Sequence, residues 1–341
     1  MKKVERKKII LSAIFVLLFH FSLFAQVSES LKPYLDGAIS HAQTRSLYRG
    51  KVDWNATKTE MYRLAKDAKS VEDLSPALKY LLSKLEDSHG RFFYKNQPIA
   101  FWYGEPTENQ KKVDTKVWNT IQSGKYSFKY AMLENKIGYL RIPGLPMGDN
   151  VKMSEEIRNA VCDLKQKKAK YWIVDLRYNG GGNMYPMMEG LGNLIGDGTV
   201  GTVADFDGKP LSTWKIKDAD FYYDDYLAAD LPNNCKFGKL PKVAVLISQY
   251  TVSSGEAVAV AFKGRKNTRF FGLETGGLIT VTDWAPINSD LVASISVGYY
   301  TDRNSKIYRN FVEPDEKIEF IMTEDFEKDE GIKTAVKWLK K

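Results

Sequence analysis

Histidine is nearly missing from this chain, with three in 341 residues, and cysteine is rarer still, with two. Two cysteines rule out a disulfide-dense scaffold. A zinc site built from His and Cys has too few ligands, so no metal is expected. Cys162 falls among helix-periodic apolar positions and reads as core. A bridge to Cys235 would suit an exported chain, but the spacing alone does not pair the two. No Gly-x-Gly-x-x-Gly and no glycine-rich loop ending in Gly-Lys-Ser/Thr occurs, which excludes the common dinucleotide and P-loop sites, and no organic cofactor is expected. Beyond residue 25 no apolar run is long enough to cross a bilayer. Internal repeats and low-complexity segments are also lacking. The net charge of +8 comes half from the first eight residues, where five basic residues face one glutamate, leaving +4. The remaining Lys and Arg are interleaved with Asp and Glu and form no stripe, so no nucleic-acid partner is expected.

What is present is a globular composition, 43% hydrophobic and 27% charged, on a chain long enough for one or two domains. It begins with a basic segment followed by the apolar residues 9–25, the pattern of a secretory signal. The expectation is cleavage before Gln26 and a periplasmic or extracellular protein. Leu23 departs from the small-x-small rule for such cleavage, so an uncleaved N-terminal anchor is the alternative and the only membrane contact foreseen. No cysteine follows the apolar run, which argues against a lipid anchor.

Periodicity predicts helices over residues 31–47 and 58–85, the second capped by Asp53 or Asn55. Residues 126–133 and 137–142 read as a hairpin, 151–168 as an amphipathic helix and 171–176 as a buried strand. Asp207-Gly208 marks a second hairpin, and residues 279–287 and 291–299 a third. A strand, a polar elbow and a helix span residues 242–262, a short strand follows at 269–272, and a closing helix covers 325–339. Strands alternating with helices in the centre imply an α/β layer with antiparallel hairpins attached and a helical cap in front.

The elbow, Thr-Val-Ser-Ser-Gly-Glu at residues 251–256, places hydroxyls at a helix N-terminus, where free N–H groups and the helix dipole favour negative charge. A serine nucleophile needs such a place, because its tetrahedral intermediate carries an oxyanion. Ser253-x-x-Glu256 is equally a capping box, which would merely start the helix. His20 lies in the signal and His41 within the first helix. Only His89 sits at a helix-to-strand break where a side chain reaches a cleft. A general base near neutral pH is most often a histidine, and His89 is the one candidate. Its pKa is expected at about 6 to 7. Three glycines after the buried strand, at 180–182, can turn backbone N–H groups toward a carbonyl oxygen.

Three segments in this order resemble the S41 family of serine peptidases, which includes the tail-specific and tricorn-like proteases. Residues 175–183 (DLRYNGGGN) are similar to the family's D-L-R-x-N-x-G-G signature. Residues 251–256 are similar to its T-A-S-A-x-E nucleophile motif, and 271–277 (FGLETGG) to the G-E-x-T-G-G segment that follows. The resemblance implies Ser253 as nucleophile, with Ser254 and Gly181 supplying N–H groups to the oxyanion hole. The lysine base of the tail-specific branch would fall on Leu278 and is not available. The tricorn-like branch uses a histidine preceded by a serine, and residues 85–90 (LEDSHG) resemble that segment. It selects His89 and implies that Ser88 orients the ring. Two departures stand out. The interval 91–136 is too short for the PDZ domain of the tail-specific branch, and the family's glutamate falls on Tyr308. Glu313 is either a displaced acid or a surface residue.

The resemblance implies a ClpP/crotonase-like core of βα units with attached antiparallel hairpins and an N-terminal helical cap. Residues 1–25 would be the signal, 26–125 the helical region carrying the histidine, and 126–341 the peptidase core. The function expected is an exported serine peptidase acting on a peptide or protein substrate. A non-catalytic ligand- or peptide-binding protein on the same scaffold is the rival, and a crotonase-like acyl-thioester enzyme the third reading.

Overall fold

Val243, Val245 and Ile247 point to one side of a strand while Ala244 and Leu246 point to the other, and both sides are buried. This pattern of a strand covered on both faces sets the architecture of the computed structural model, which describes residues 27–106, 108–232 and 235–341. The expected signal and its cleavage site lie outside the described residues.

The strand Lys242–Ile247 pairs in parallel with Tyr171–Asp175 on one side and Thr268–Gly272 on the other. Ile137–Arg141 and Glu316–Lys317 extend this sheet in parallel, and Lys129–Leu133 closes one edge antiparallel. Val243, Val245 and Ile247 join the main core with the helices Asn150–Gln166 and Ser254–Phe262. Ala244 and Leu246 pack with Ile173 and Phe271 against Ile332, Ala335 and Leu339 of the closing helix Glu330–Leu339. The structure is therefore the α/β fold expected. The turns that carry chemistry leave the carboxyl ends of neighbouring parallel strands, where ligands bind in such sheets.

Two further sheets complete the molecule. One runs, in spatial order, Thr280–Thr282, Ser296–Asp302, Gly198–Ala204, Pro210–Lys217, Asp220–Tyr223, Tyr226–Leu227. The other runs Ala285–Pro286, Leu291–Ser294, Arg91–Tyr94, Gln97–Phe101. The hairpin expected at residues 279–299 is therefore two pairings rather than one. Its outer halves, Thr280–Thr282 and Ser296–Asp302, belong to one sheet and its inner halves to the other. The buried Ile295 marks the crossing, with its N–H on Asp283 Oδ1.

The helix expected over residues 58–85 is also two, Trp54–Leu64 and Ser75–Leu85. Asp73 accepts the N–H groups of Lys69 and Ser70, both at 2.9 Å, which folds the connection into a turn, and Pro76 opens the second helix. Asp53 caps the first through Ala56 N at 3.0 Å. Immediately after the second helix the chain turns through residues 86–90 and enters the strand Arg91–Tyr94, whose partner Leu291–Ser294 lies two hundred residues later in the sequence. The early histidine segment is thus built into a sheet with the late part of the chain. Cys162, on the helix Asn150–Gln166, forms a disulfide with Cys235, so it is not the plain core residue its periodicity suggested.

Candidate active site

The elbow at residues 251–256 departs from regular backbone at one residue. Ser253 has φ 53° and ψ −118°, a conformation uncommon for any side chain larger than glycine. The turn holds because its flanks are tied to the signature loop. Thr251 Oγ1 donates to Leu176 O at 2.8 Å, Ser248 Oγ to Arg177 O at 2.7 Å, and Val252 N to Asn179 O at 3.0 Å. The expected capping box of Ser253 and Glu256 is present, with Ser253 N donating to Glu256 Oε2 at 2.9 Å. The Ser253 hydroxyl also has a partner far away in the sequence. It lies 3.0 Å from His89 Nε2, across 164 residues of sequence.

Glu256 is fully buried and receives two more donors, Thr275 Oγ1 at 2.5 Å and Gly277 N at 3.0 Å. The third motif segment therefore folds over the carboxyl group that braces Ser253. Burial pushes Glu256 up to about 7 against these hydrogen bonds. In the signature loop, Arg177 is clamped between Asp175 and Asp329 through contacts of 2.7 to 2.9 Å, all buried. Asn179 donates to the carbonyls of Ile142 and Pro143 and accepts from Gly181 N at 3.0 Å.

Gly181 lies against Ser253. Its φ is +89°, and a Cβ there would sit 2.8 Å from Ser253 Cβ, so only glycine fits. Its N–H, however, is held by Asn179 Oδ1 at 3.0 Å and is free for another acceptor only once that bond is released. Ser254 opens the helix Ser254–Phe262, where the first-turn N–H groups have no helical acceptor. The Ser254 hydroxyl donates to Gly182 O.

His89 meets the site from the turn before Arg91–Tyr94. Burial, and then the Arg91 guanidinium, push its pKa down to about 4 from the ordinary value, lower than the sequence suggested. The hydroxyl on its other nitrogen is not that of Ser88. Thr280 Oγ1 lies 3.0 Å from Nδ1, Ser296 Oγ lies 2.8 Å from Thr280 Oγ1, and Asp87 Oδ1 accepts from Ser296 Oγ at 2.7 Å. Ser88 contributes its carbonyl, which accepts from Arg91 Nη1 at 2.9 Å. Sequence reasoning passed over Thr280 and Ser296, which carry no local signal, and Asp87, which stood two residues before the chosen histidine.

Tyr308 and Glu313 are not brought to the histidine by any hydrogen bond. The Tyr308 hydroxyl is buried on Asp302 Oδ2 at 2.9 Å, and Glu313 is exposed, with its carbonyl taken by Lys263 Nζ at 2.7 Å. Among the described residues, no group of three or more His, Cys, Asp or Glu side chains is placed to hold a metal ion, and no helix is long and apolar enough to cross a membrane. Beside Gly180–Gly182 opens a cleft of about 660 Å³, lined by Ile121, Tyr126, Phe128, Pro143, Leu145 and Tyr178.

Known proteins share this arrangement of elements. The nisin-resistance protein of Lactococcus lactis subsp. lactis is 25% identical over 326 residues, 94% of this chain and 91% of that protein. A lipoprotein from Streptococcus agalactiae has the same fold with a TM-score of 0.68 at 20% identity, over 90% of this chain and 95% of that one. The photosystem II D1 C-terminal processing protease follows with a TM-score of 0.56 at 14% identity, over 90% and 97%. The sequence profile of peptidase family S41 matches residues 136–318, a span holding the signature loop, the elbow and the segment that braces it. On that match the chain belongs to peptidase family S41.

Proposed function

We propose that the chain is an exported serine peptidase in which Ser253 is the nucleophile and His89 the general base. The observation that carries this reading is the 3.0 Å approach of His89 Nε2 to Ser253 Oγ, on an elbow whose backbone at Ser253 is strained. His89 Nε2 takes the hydroxyl proton as Oγ attacks the peptide carbonyl carbon. The tetrahedral oxyanion forms beside the first turn of the helix, with Ser254 N–H as one donor and Gly181 N–H as the second once Asn179 lets it go. The imidazolium then gives its proton to the leaving amine, and water attacks the acyl-enzyme by the same route in reverse. A substrate side chain next to the scissile bond would find the aromatic and apolar cleft beside the glycine loop. Export is supported by the basic and apolar start of the sequence and by the Cys162–Cys235 bridge, a bond that persists in oxidising compartments.

Labelling with a fluorophosphonate probe tests the chemistry. Ser253 is expected to be the modified residue, and Ser253→Ala to lose labelling and peptide hydrolysis while keeping the fold, since its N–H to Glu256 survives the change. A Ser253→Ala protein that still cleaves peptides sinks the assignment. The rival, a binding protein on this scaffold, rests on Tyr308 in the position of the family's acid. It gains if the wild-type serine stays unlabelled.

A further inference from the structure

We propose that Asp87 is the acidic end of the catalytic apparatus and a positioning residue, acting on His89 through the hydroxyls of Ser296 and Thr280. The inference rests on the reading of Ser253 and His89 given above and supplies the acid that Tyr308 and Glu313 do not.

The argument follows the direction of each hydrogen bond. Asp87 is buried and faces four donors. Its Oδ1 accepts from Gly90 N at 2.8 Å, His89 N at 3.2 Å and Ser296 Oγ at 2.7 Å, and its Oδ2 from Ser296 N at 2.8 Å. Three of these are backbone N–H groups, which cannot turn round, so the carboxylate acts as an acceptor throughout. Burial raises its pKa, and the same four hydrogen bonds pull it back. Ser296 therefore spends its single hydroxyl proton on Asp87. The 2.8 Å contact between Ser296 and Thr280 must then be filled by the Thr280 proton. Thr280 Oγ1 has no proton left for the 3.0 Å contact to the ring, so His89 Nδ1 must carry the hydrogen and donate. With the proton on Nδ1, Nε2 offers its lone pair to Ser253 Oγ–H, the form a general base requires.

The chain of four bonds spans residues from three separate parts of the sequence and lets a charge act on the ring without touching it. When the ring takes the Ser253 proton, Nδ1–H strengthens its bond to Thr280, and each hydroxyl in turn polarises toward Asp87. No proton needs to move along the relay for this to operate.

The test uses the mature full-length protein labelled with ¹⁵N, with ring-nitrogen NMR of His89 (assigned with His89→Gln) and the rate of fluorophosphonate labelling measured in parallel. The wild type is expected to show protonated Nδ1 and bare Nε2 at neutral pH. Thr280→Val keeps the side-chain shape and removes the hydroxyl. It should populate the Nε2–H tautomer and slow labelling ~100-fold or more, by comparison with other bases held in the wrong tautomer. Thr280→Ser should restore the Nδ1–H form and most of the rate. Asp87→Asn should mimic Thr280→Val, but it also disturbs the turn that Asp87 holds, so the threonine pair carries the test. Glu313→Gln should change neither readout. A wild-type ring protonated on Nε2, or a Thr280→Val protein with unchanged tautomer and rate, overturns the relay. If the wild type resists labelling, the peptidase reading fails, while the ring spectra still decide whether the relay exists.

Discussion

Ser253 and His89 show how much a single residue's surroundings decide. A serine hydroxyl is a poor nucleophile until a bare nitrogen faces it, and His89 faces it with a pKa pushed down to about 4 by burial and by Arg91. The charged and titratable groups around the ring are Arg91 beside it and Asp87 behind Thr280 and Ser296. The proposed base role of His89 needs a neutral ring, so on that reading peptide hydrolysis should rise with pH through about 4 and be flat from about 5 to neutrality. Rate profiles across this range check it; an acid limb at an unperturbed histidine value would show that the ring is not desolvated during catalysis. Stability should respond differently. The folded chain holds His89 below its ordinary value of 6.5, so the unfolded chain binds more protons between about 4 and 6.5, and acidification through that window destabilises the fold. Glu256, raised from 4.5 to about 7, has the opposite sign, its contribution being present below 4.5 and lost as pH rises through about 7. The two slopes oppose each other between 4.5 and 6.5.

At the scale of elements, the signature loop is a brace rather than a binding loop. Asp175 ends its strand, Arg177 reaches back to it, and Asp329 joins from the N-cap of the closing helix while also accepting Ile332 N at 3.0 Å. One guanidinium thus fixes the helix on the far side of the sheet to the turn that carries Asn179 and the glycines. Arg177→Met removes the positive charge and leaves two buried carboxylates facing each other. Breaking a buried network of this kind costs about 3–5 kcal/mol. Urea unfolding should register that loss, and a change below about 1 kcal/mol would show that the brace is dispensable. The Asp-Leu-Arg-Tyr-Asn string was legible as a motif. Its division of labour was not, because Asp329 lies 152 residues from Arg177.

For the whole molecule, the disulfide and the N-terminal segment make one joint prediction. Cys162 and Cys235 lie 73 residues apart with Cα atoms at 5.2 Å. A loop of that size is worth about 4 kcal/mol on the chain-entropy account. Protein recovered from the producing cell should begin near Gln26, contain no free thiol, and unfold at a lower temperature once a reductant is added. N-terminal sequencing, thiol titration and a thermal melt test the three parts. An intact Met1 with two free thiols would contradict export.

The sequence alone determined what depends on neighbours. The unbroken apolar run at residues 243–247 encodes a strand buried on both faces, Asp53 encodes a helix start, and the scarcity of histidine leaves one candidate for the proposed base. The elbow and the glycine loop were readable because short-range backbone demands select serine, glycine and glutamate at set spacings. Tertiary structure decided the rest. Thr280 and Ser296 are ordinary strand residues until the strand crossing at Ile295 brings them behind His89, and the disulfide partner, the brace on Arg177 and the exposure of Glu313 follow from the same long-range pairings. Local periodicity records which face of an element is buried. It carries no record of what lies opposite, since that is set by sheet register between segments separated by up to two hundred residues.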